Sequence, residues 1–378
     1  MGIANDPRAL EHPDAITYQE ILDQDANPPP DTLRERAVPN LGTAPIPVAH
    51  YTDQAFFDAS IEKMWLKTWL MACREEDIPN VGDYHVFEIV GKSLIVVRVA
   101  PDEIRALHNV CLHRGRKLVQ SDGNRAEFKC QFHGFAWNRD GSFARNPMEW
   151  DFPQCTKANM GLPQAKVGQW GGFVFVNFDT DAAPLETVLE PIPRHFARWD
   201  LENRYTSAHV VKRVQANWMV TAEAFMESHH SITTHPQILP FVGDANAQYD
   251  VFSDHVSRHI SARGYSSPFA ETAYTEREIA NAMLNTGGRG RVGGPMGAQA
   301  VADMPTEARA RSYVADVMRT LIQDETGLDL SKAGESELGD SLLHNVFPNL
   351  SVWGGFIPNL VYRWLPDGKR HDSTWMEI

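Results

Sequence analysis

Two short stretches constrain this chain more than anything else in it: Cys111-Leu-His113 and, after sixteen intervening residues, Cys130-Gln-Phe-His133. Strand-like runs, IRALHNV and EFKCQF, lead into them, so both pairs fall in turns, and Gly115 and Gly134 let the backbone there approach a small group closely. Two loops that each supply one thiolate and one imidazole can clamp a metal centre from both sides. Two centres suit that donor set. A structural zinc ion takes four such ligands in a tetrahedron. A two-iron cluster takes both cysteines on one iron and both histidines on the other. Zinc fingers keep their Cys pair and His pair apart in sequence, whereas here each loop mixes the two, which favours the cluster.

The rest of the chain must house such a centre. At 378 residues it is too long for one ordinary core and suits two domains. It is 43% hydrophobic, with 10 Trp and 18 Phe, and so has the apolar content of a well-buried globular protein. A net charge of −14 works against nucleic acid and anionic membrane as partners. No apolar run approaches the ~20 residues of a membrane-spanning helix. The opening MGIANDPRALEHPDAITYQE is acidic and lacks the apolar centre of a secretory signal. Four cysteines do not make a disulfide scaffold in a chain this long. The expected compartment is a reducing cytoplasm, where cysteines serve more often as metal ligands than as bridges.

Hydrophobic spacing divides the chain. Residues 1–47, Pro-rich around Pro28, Pro29 and Pro30, read as a short helix and an extended arm packed on the body. Phe57, Ile61, Met64 and Trp65 have helical spacing. The period then becomes two: YHVFEIV and SLIVVRV flank Gly91-Lys92, a hairpin signal, and GGFVFVNF (171–178) is a buried strand. Residues 51–178 therefore read as a small antiparallel β domain. Residues 179–378 read as α+β, with helices at Ala216–His230 and 306–325 and a return to strands at LSVWGGFI, NLVYRWL and DSTWMEI. The stretch 286–300 reads as a loop. Its Gly288-Arg-Gly290-Arg-Val-Gly293 matches the dinucleotide pattern in letters only, because it follows a polar helix-like segment instead of a strand.

A second constellation lies at 217–236. On a continuous helix, Glu223, Glu227 and His230 stack on one face at i, i+4 and i+7. Two carboxylates one turn apart repel, so that face calls for a metal or a hydrogen-bonding histidine. His230 and His235, five apart, point about 140° apart on an unbroken helix at about 100° per residue. To share one ion the helix must loosen between them, and Thr233, Thr234 and Pro236 suit such a break. Two histidines and a carboxylate on one side of Fe(II) leave positions for O2 and substrate. The bland alternative is a pair of satisfied surface histidines.

CLHRG followed by CQFHGFAWNRDG resembles the cluster loops of Rieske proteins, and the 217–236 stretch resembles the iron-binding helix of ring-hydroxylating oxygenase large subunits. EDIPNVGDYHVFEIVG and GGFVFVNF extend the resemblance over most of the chain. Respiratory Rieske proteins carry a further disulfide-forming Cys in each loop. Here the other two, Cys73 and Cys155, lie outside the loops. A ferredoxin would end soon after the β domain, and this chain runs on for 200 residues past 178. The resemblance thus implies the α (terminal oxygenase) subunit of a Rieske non-haem iron oxygenase. Its parts would be an N-terminal arm at 1–50, an antiparallel Rieske domain at 51–178 and a helix-grip-like catalytic domain at 179–378.

In that reading Cys111, His113, Cys130 and His133 hold a [2Fe–2S] cluster, and His230 and His235 hold a mononuclear iron. Glu227 bridges the two sites between neighbouring subunits of a trimer, meeting His133 of one chain and His230 of the next. A small β subunit can accompany the trimer. Electrons from NAD(P)H arrive through a ferredoxin or flavin reductase, with Arg114, Arg116 and Lys117 as a basic docking patch or simply a solvated loop. With O2 the enzyme would dihydroxylate, monohydroxylate or oxidatively demethylate an aromatic or similarly apolar compound.

Two departures matter. Glu227 stands where the family commonly has Asp, and His229 stands where it has an aromatic residue, which suits a packing role. The third iron ligand, a carboxylate on a helix after the sheet, has no clear match. Asp340, Asp367, Asp372 and Glu377 are the candidates, Asp367 being better explained by its turn with Gly368. The chain stops at Ile378, in what reads as the second strand of a hairpin. The expectation is therefore a sequence shorter than its native parent, with the third ligand beyond Ile378. The rival class is an electron carrier or inactive relative without the second iron.

Overall fold

The period-two stretches fold as read. The computed structural model describes residues 12–39, 41–285, 294–356 and 360–378. Its first sheet runs in the order β1 (Leu70–Arg74), β10 (Phe173–Asn177), β9 (Gln164–Trp170), β4 (Glu103–His108), β3 (Lys92–Ala100), β2 (Asp83–Ile89), β5 (Gly123–Asn124), with every pair antiparallel. A small sheet of β6 (Glu127–Lys129), β7 (Ala136–Asn138) and β8 (Phe143–Arg145) stands beside it. The β2–β3 hairpin turns on Val90 and Gly91, both at positive φ (45° and 81°), the backbone that a two-residue hairpin needs.

The second sheet is ordered β11 (Val211–Val214), β17 (Thr374–Glu377), β16 (Val361–Pro366), β15 (Leu350–Trp353), β14 (Ser341–Val346), β13 (Val256–Arg263), β12 (Val242–Val251), again antiparallel throughout. β11 and β12 are consecutive in the chain yet occupy opposite edges. The segment between them, 215–241, must therefore cross from one edge to the other, and it carries both candidate iron histidines. Helices at Glu276–Asn285, Gly294–Asp303, Ala310–Thr326 and Glu335–Gly339 fill the connection from β13 to β14. Residues 294–303 correct the expected loop. Arg277 donates to Met304 O (2.6 Å) and Tyr313 to Ala300 O (2.7 Å), so side chains from neighbouring helices fasten the segment, and Ala300 and Val301 pack against the core of those helices. The glycine pattern at 288–293 lies outside the described residues. No described helix is long and apolar enough to cross a membrane.

Phe173–Val176 in GGFVFVNF is an unbroken apolar run because β10 is buried on both faces. Val174 and Val176 join a core with Trp65, Phe87 and Leu94, while Phe173 and Phe175 join Val256, Ile260, Leu342 and Val352 of the second sheet. The N-terminal arm packs on that second sheet: Tyr18 donates to Asp340 (3.0 Å), and Arg258 reaches Thr32 O and Glu35 O (2.7 Å each).

Where the arm meets the core, His195 lies between Glu35 (3.1 Å) and His344 (3.2 Å), with Arg194 also on Glu35 and Arg258 nearby. Burial pushes His195 down to about 4, outweighing the Glu35 hydrogen bond, and burial with Arg258 holds His344 well below 6.5. Well above pH ~6.5 neither the folded nor the unfolded chain protonates these imidazoles, and they leave stability unchanged. As pH falls from there towards 4, only the unfolded chain takes up the protons, so stability is lost. The melting temperature should fall between pH 6.5 and 5, and His195→Asn should flatten that slope. A slope equal to wild type would rule out this pair as its source.

Candidate functional site

The two Cys/His loops are built alike. In each, the Cys N–H and C=O close a turn: Cys111 N–H to Arg116 O (2.7 Å) and Gly115 N–H to Cys111 O (2.8 Å); Cys130 N–H to Phe135 O (2.8 Å) and Gly134 N–H to Cys130 O (3.0 Å). Gly115 and Gly134, at φ 76° and 80°, make the reversal that a side chain would resist. Both cysteines are buried and unbridged, and their sulfurs lie within hydrogen-bonding reach of each other. Burial raises the pKa of Cys111, although the N–H groups of His113 and Arg114 aim at its sulfur. The histidines sit outside them, half-buried, their rings 4.8 Å apart.

Nδ1 of His113 is buried with no hydrogen-bond partner, while the ring stacks on Phe135 at 4.8 Å. Leaving such an atom unsatisfied costs roughly 1–3 kcal/mol, and a metal bond would satisfy it. Burial, then the charges of His133 and Arg114, lower the His113 pKa, which keeps the ring neutral as a ligand must be. Among the described residues no three His, Cys, Asp or Glu side chains converge on one point. One Cys and one His from each loop, with the two sulfurs together and the two rings together outside them, suit a cluster in which each metal takes two protein donors. These four residues therefore fit a [2Fe–2S] cluster.

The segment 217–239 departs from the continuous helix expected over Ala216–His230. Asn217 caps a helix that ends at Glu223 (Trp218–Glu223), and turns follow until Ser231–Thr234. Side chains end it. The Glu227 carboxylate accepts the N–H groups of His229 and His230 (3.2 Å to the latter). Ser228 is tied to β12, its N–H donating to the Tyr249 hydroxyl (3.1 Å) and its Oγ to Asp244 O (3.1 Å). Such bonds compete with the helical ladder. Glu223 and Glu227 are thereby relieved of each other: Glu223 accepts from Tyr51 (3.0 Å), and Glu227 meets His230 Nδ1 at 2.6 Å.

The break brings His230 and His235 together, as their spacing requires. Their rings lie 5.2 Å apart, and His235, at φ −128°, ψ 52° before Pro236, ends the short helix between them. Burial pushes the Glu227 pKa up, but its bonds to the His230 side chain and backbone and to His229 N–H bring the net shift below the usual range. Ionised, Glu227 can only accept, so His230 carries its proton on Nδ1 and leaves Nε2 free for a metal. The two imidazoles thus fit an iron ion with open positions.

Among the described residues no third ligand joins them. Asp340 is buried among Arg311, Tyr18 and the Arg263 N–H. Asp367 holds its turn through Ser373, Trp375 and Arg213. Asp372 pairs with Arg370, and Glu377 with Arg363 and His209. All four sequence candidates are committed elsewhere, and the described residues contribute two of the three expected donors. At Ile378 the chain is still in the sheet, directly after the second strand of the β16–β17 hairpin. Its N–H and C=O pair with Val210 (2.9 and 2.8 Å) and prolong the ladder between β17 and β11.

Sequence reasoning missed Ser228, Tyr249 and His259. Tyr249 anchors Ser228 and stacks on its cross-strand partner His259 (5.0 Å) and on His229 (6.0 Å). Burial holds His259 at about 4. Only strand register joins these rings, so no spacing signal announces them. The basic residues beside the cluster are exposed, though Lys117 pairs with Glu88 and Arg114 lies over the Phe132 ring at 5.7 Å.

The family model described as Rieske [2Fe-2S] domain matches residues 68–156, and that described as ring hydroxylating alpha subunit (catalytic domain) matches residues 194–378. The glycine betaine monooxygenase oxygenase subunit of Pseudomonas aeruginosa (strain UCBPP-PA14) is 28% identical over 61% of this chain and 55% of its own length. The biphenyl 2,3-dioxygenase subunit alpha of Rhodococcus jostii (strain RHA1) is 31% identical over 49% of this chain and 42% of its own. The chain spans about half the length of these curated relatives. A crystal structure of a quaternary ammonium Rieske monooxygenase shares the fold with a TM-score of 0.63 at 17% identity, covering 88% of this chain and 74% of that one.

Proposed function

Because the chain belongs to the Rieske oxygenases, pairing a Rieske [2Fe-2S] domain with the catalytic domain of ring-hydroxylating alpha subunits, we propose that it is the terminal component of an oxygenase fed by a ferredoxin or flavin reductase. When bound, the cluster passes single electrons and the second iron activates O2 for insertion into a C–H bond. Cys111, Cys130, His113 and His133 hold the first, and His230 and His235 hold the second. Glu227 keeps the proton of His230 on Nδ1. The observation that carries the reading is this 2.6 Å contact beside a second imidazole 5.2 Å away, in a chain that also presents a cluster-shaped pair of loops. Glu227 and His230 are each about one-third exposed, so a neighbouring subunit can reach them, and within one chain no hydrogen bond joins Glu227 to His133 among the described residues. That supports electron transfer between subunits.

For the substrate, a quaternary ammonium compound is favoured over the aromatic one first expected. The glycine betaine relative aligns over 61% of this chain, against 49% for the biphenyl relative. The reaction would be oxidative N-demethylation. O2, two electrons and two protons convert an N-methyl group to N-hydroxymethyl and water, and the N–C bond then breaks to release formaldehyde and leave a protonated tertiary amine. The reduced protein should show a low-average-g cluster resonance. With a reductase, O2 and trimethylammonium substrates, it should form one formaldehyde per two electrons. Diols from an aromatic panel, without formaldehyde, would overturn the substrate class. Electron uptake with no oxygenated product from either panel would identify an electron carrier instead.

A further inference from the structure

The helix Trp218–Glu223 leads directly into the turn that carries Glu227 and His230, and the segment 49–65 grips it at both ends. At its start, Asn217 donates to His371 O (2.8 Å), and the His371 ring meets Gln54 (2.8 Å). Trp65 is fully buried and sits edge-on to Trp218 at 4.8 Å, placed there by a π-helical turn at Ile61–Trp65, a wider turn that shifts the side chains after it. At the other end Tyr51 donates to Glu223 (3.0 Å) and is the only hydrogen-bond partner of that carboxylate among the described residues. From Glu223 the backbone continues towards Glu227 in turns closed by Ala224 N–H to Val220 O (3.3 Å), Phe225 N–H to Ala222 O (3.0 Å) and Met226 N–H to Glu223 O (2.9 Å). The Glu223 carbonyl closes the last of these turns, so a shift of Glu223 is passed on to the residues just before Glu227.

We propose that Tyr51 is a positioning residue for the iron site, its hydrogen bond to Glu223 holding the end of this helix so that Glu227 and His230 keep their mutual geometry. The inference rests on the reading of His230 and His235 as iron ligands. Without the hydroxyl, Glu223 is half-buried with no donor among the described residues. It must then turn towards water or another donor, and the end of the helix moves with it. Tyr51 lies 172 residues from Glu223 and, among the described residues, makes no hydrogen bond or ring contact with either imidazole, so it acts through this bond.

The test is Tyr51→Phe in the full chain with both metals loaded. It should lower kcat about tenfold, as loss of a hydrogen bond to a charged group allows, with KM little changed. It should also speed loss of the second iron to a chelator and alter the resonance of its nitric oxide adduct. The cluster spectrum and melting temperature should stay at wild type. Glu223→Gln in the same background removes the stranded charge and should restore most of the iron retention. Wild-type kcat, iron retention and adduct resonance in Tyr51→Phe would overturn the proposal. So would a fall in melting temperature in step with activity that Glu223→Gln does not reverse, since that marks a purely structural contact. If wild type itself binds no second iron, the reading of the site fails, and the inference falls with it through a result visible before any variant is made.

Discussion

Replacing His230 with alanine should remove the second iron and lower oxygen-dependent turnover by more than about a hundredfold, a larger loss than supporting partners of a metal site produce. The cluster should be untouched. Its four residues sit in two self-closing turns at 111–116 and 130–135, which share no hydrogen bond with the 227–235 segment among the described residues. His230 is one-third exposed, so truncation opens no core cavity, and the fold should lose little. Glu227 loses one partner but keeps the N–H groups of His229 and His230, so the turn should persist. His229→Ala is the internal comparison: its ring is exposed and packs on Tyr249 at 6.0 Å, and turnover should stay near wild type. Iron analysis with the reduced-cluster resonance reads all of this. Disappearance of both metal signals in His230→Ala would mean that this histidine serves the fold, and the proposed site would be wrong.

The cluster loops were legible in the sequence because each is a local object. Cys, His and the turn-closing Gly lie within five residues of one another, so spacing and geometry are nearly the same information. The His230–His235 pair was legible for the opposite reason: their spacing forbids a shared ion on a regular helix, and the break at His235 before Pro236 answers that constraint. The stacked face of Glu223, Glu227 and His230 was misread, since periodicity assumes that backbone groups bond each other. Here Glu227 and the anchor of Ser228 on β12 took the backbone first. β12 and β13 escaped notice because polar side chains are buried where alternation would put apolar ones. Asp250 and Arg258 pair at 2.8 Å with their side chains fully buried, under an arm more than 200 residues away in sequence. Tyr51 on Glu223 and Tyr249 on His259 are likewise tertiary facts, invisible to any window.

Glu227→Gln should keep both metals and the fold yet slow turnover by roughly 10- to 100-fold, the range seen when the outer partner of a metal-bound histidine is changed. The carboxylate makes two kinds of contact: one oxygen meets His230 Nδ1 at 2.6 Å, and the other caps the N–H groups of His229 and His230. All three partners are donors once Nε2 is given to the metal. A carboxylate accepts from all of them, whereas an amide has one oxygen to offer and turns an N–H towards whatever is left. If the amide oxygen keeps the backbone cap, the imidazole loses its acceptor, and its tautomer is no longer fixed. If the oxygen keeps the imidazole, the turn loses its cap. Either way the side-chain length is unchanged, so the metals stay within reach while their coupling does not. The same loss strikes the proposed bridge to His133 of a neighbouring subunit, which also needs an acceptor. Single-turnover measurements separate the outcomes. With substrate and O2 present, the pre-reduced variant should re-oxidise its cluster slowly while retaining the wild-type cluster resonance. Re-oxidation at the wild-type rate would show that Glu227 only caps its turn, and the electron path would have to run elsewhere.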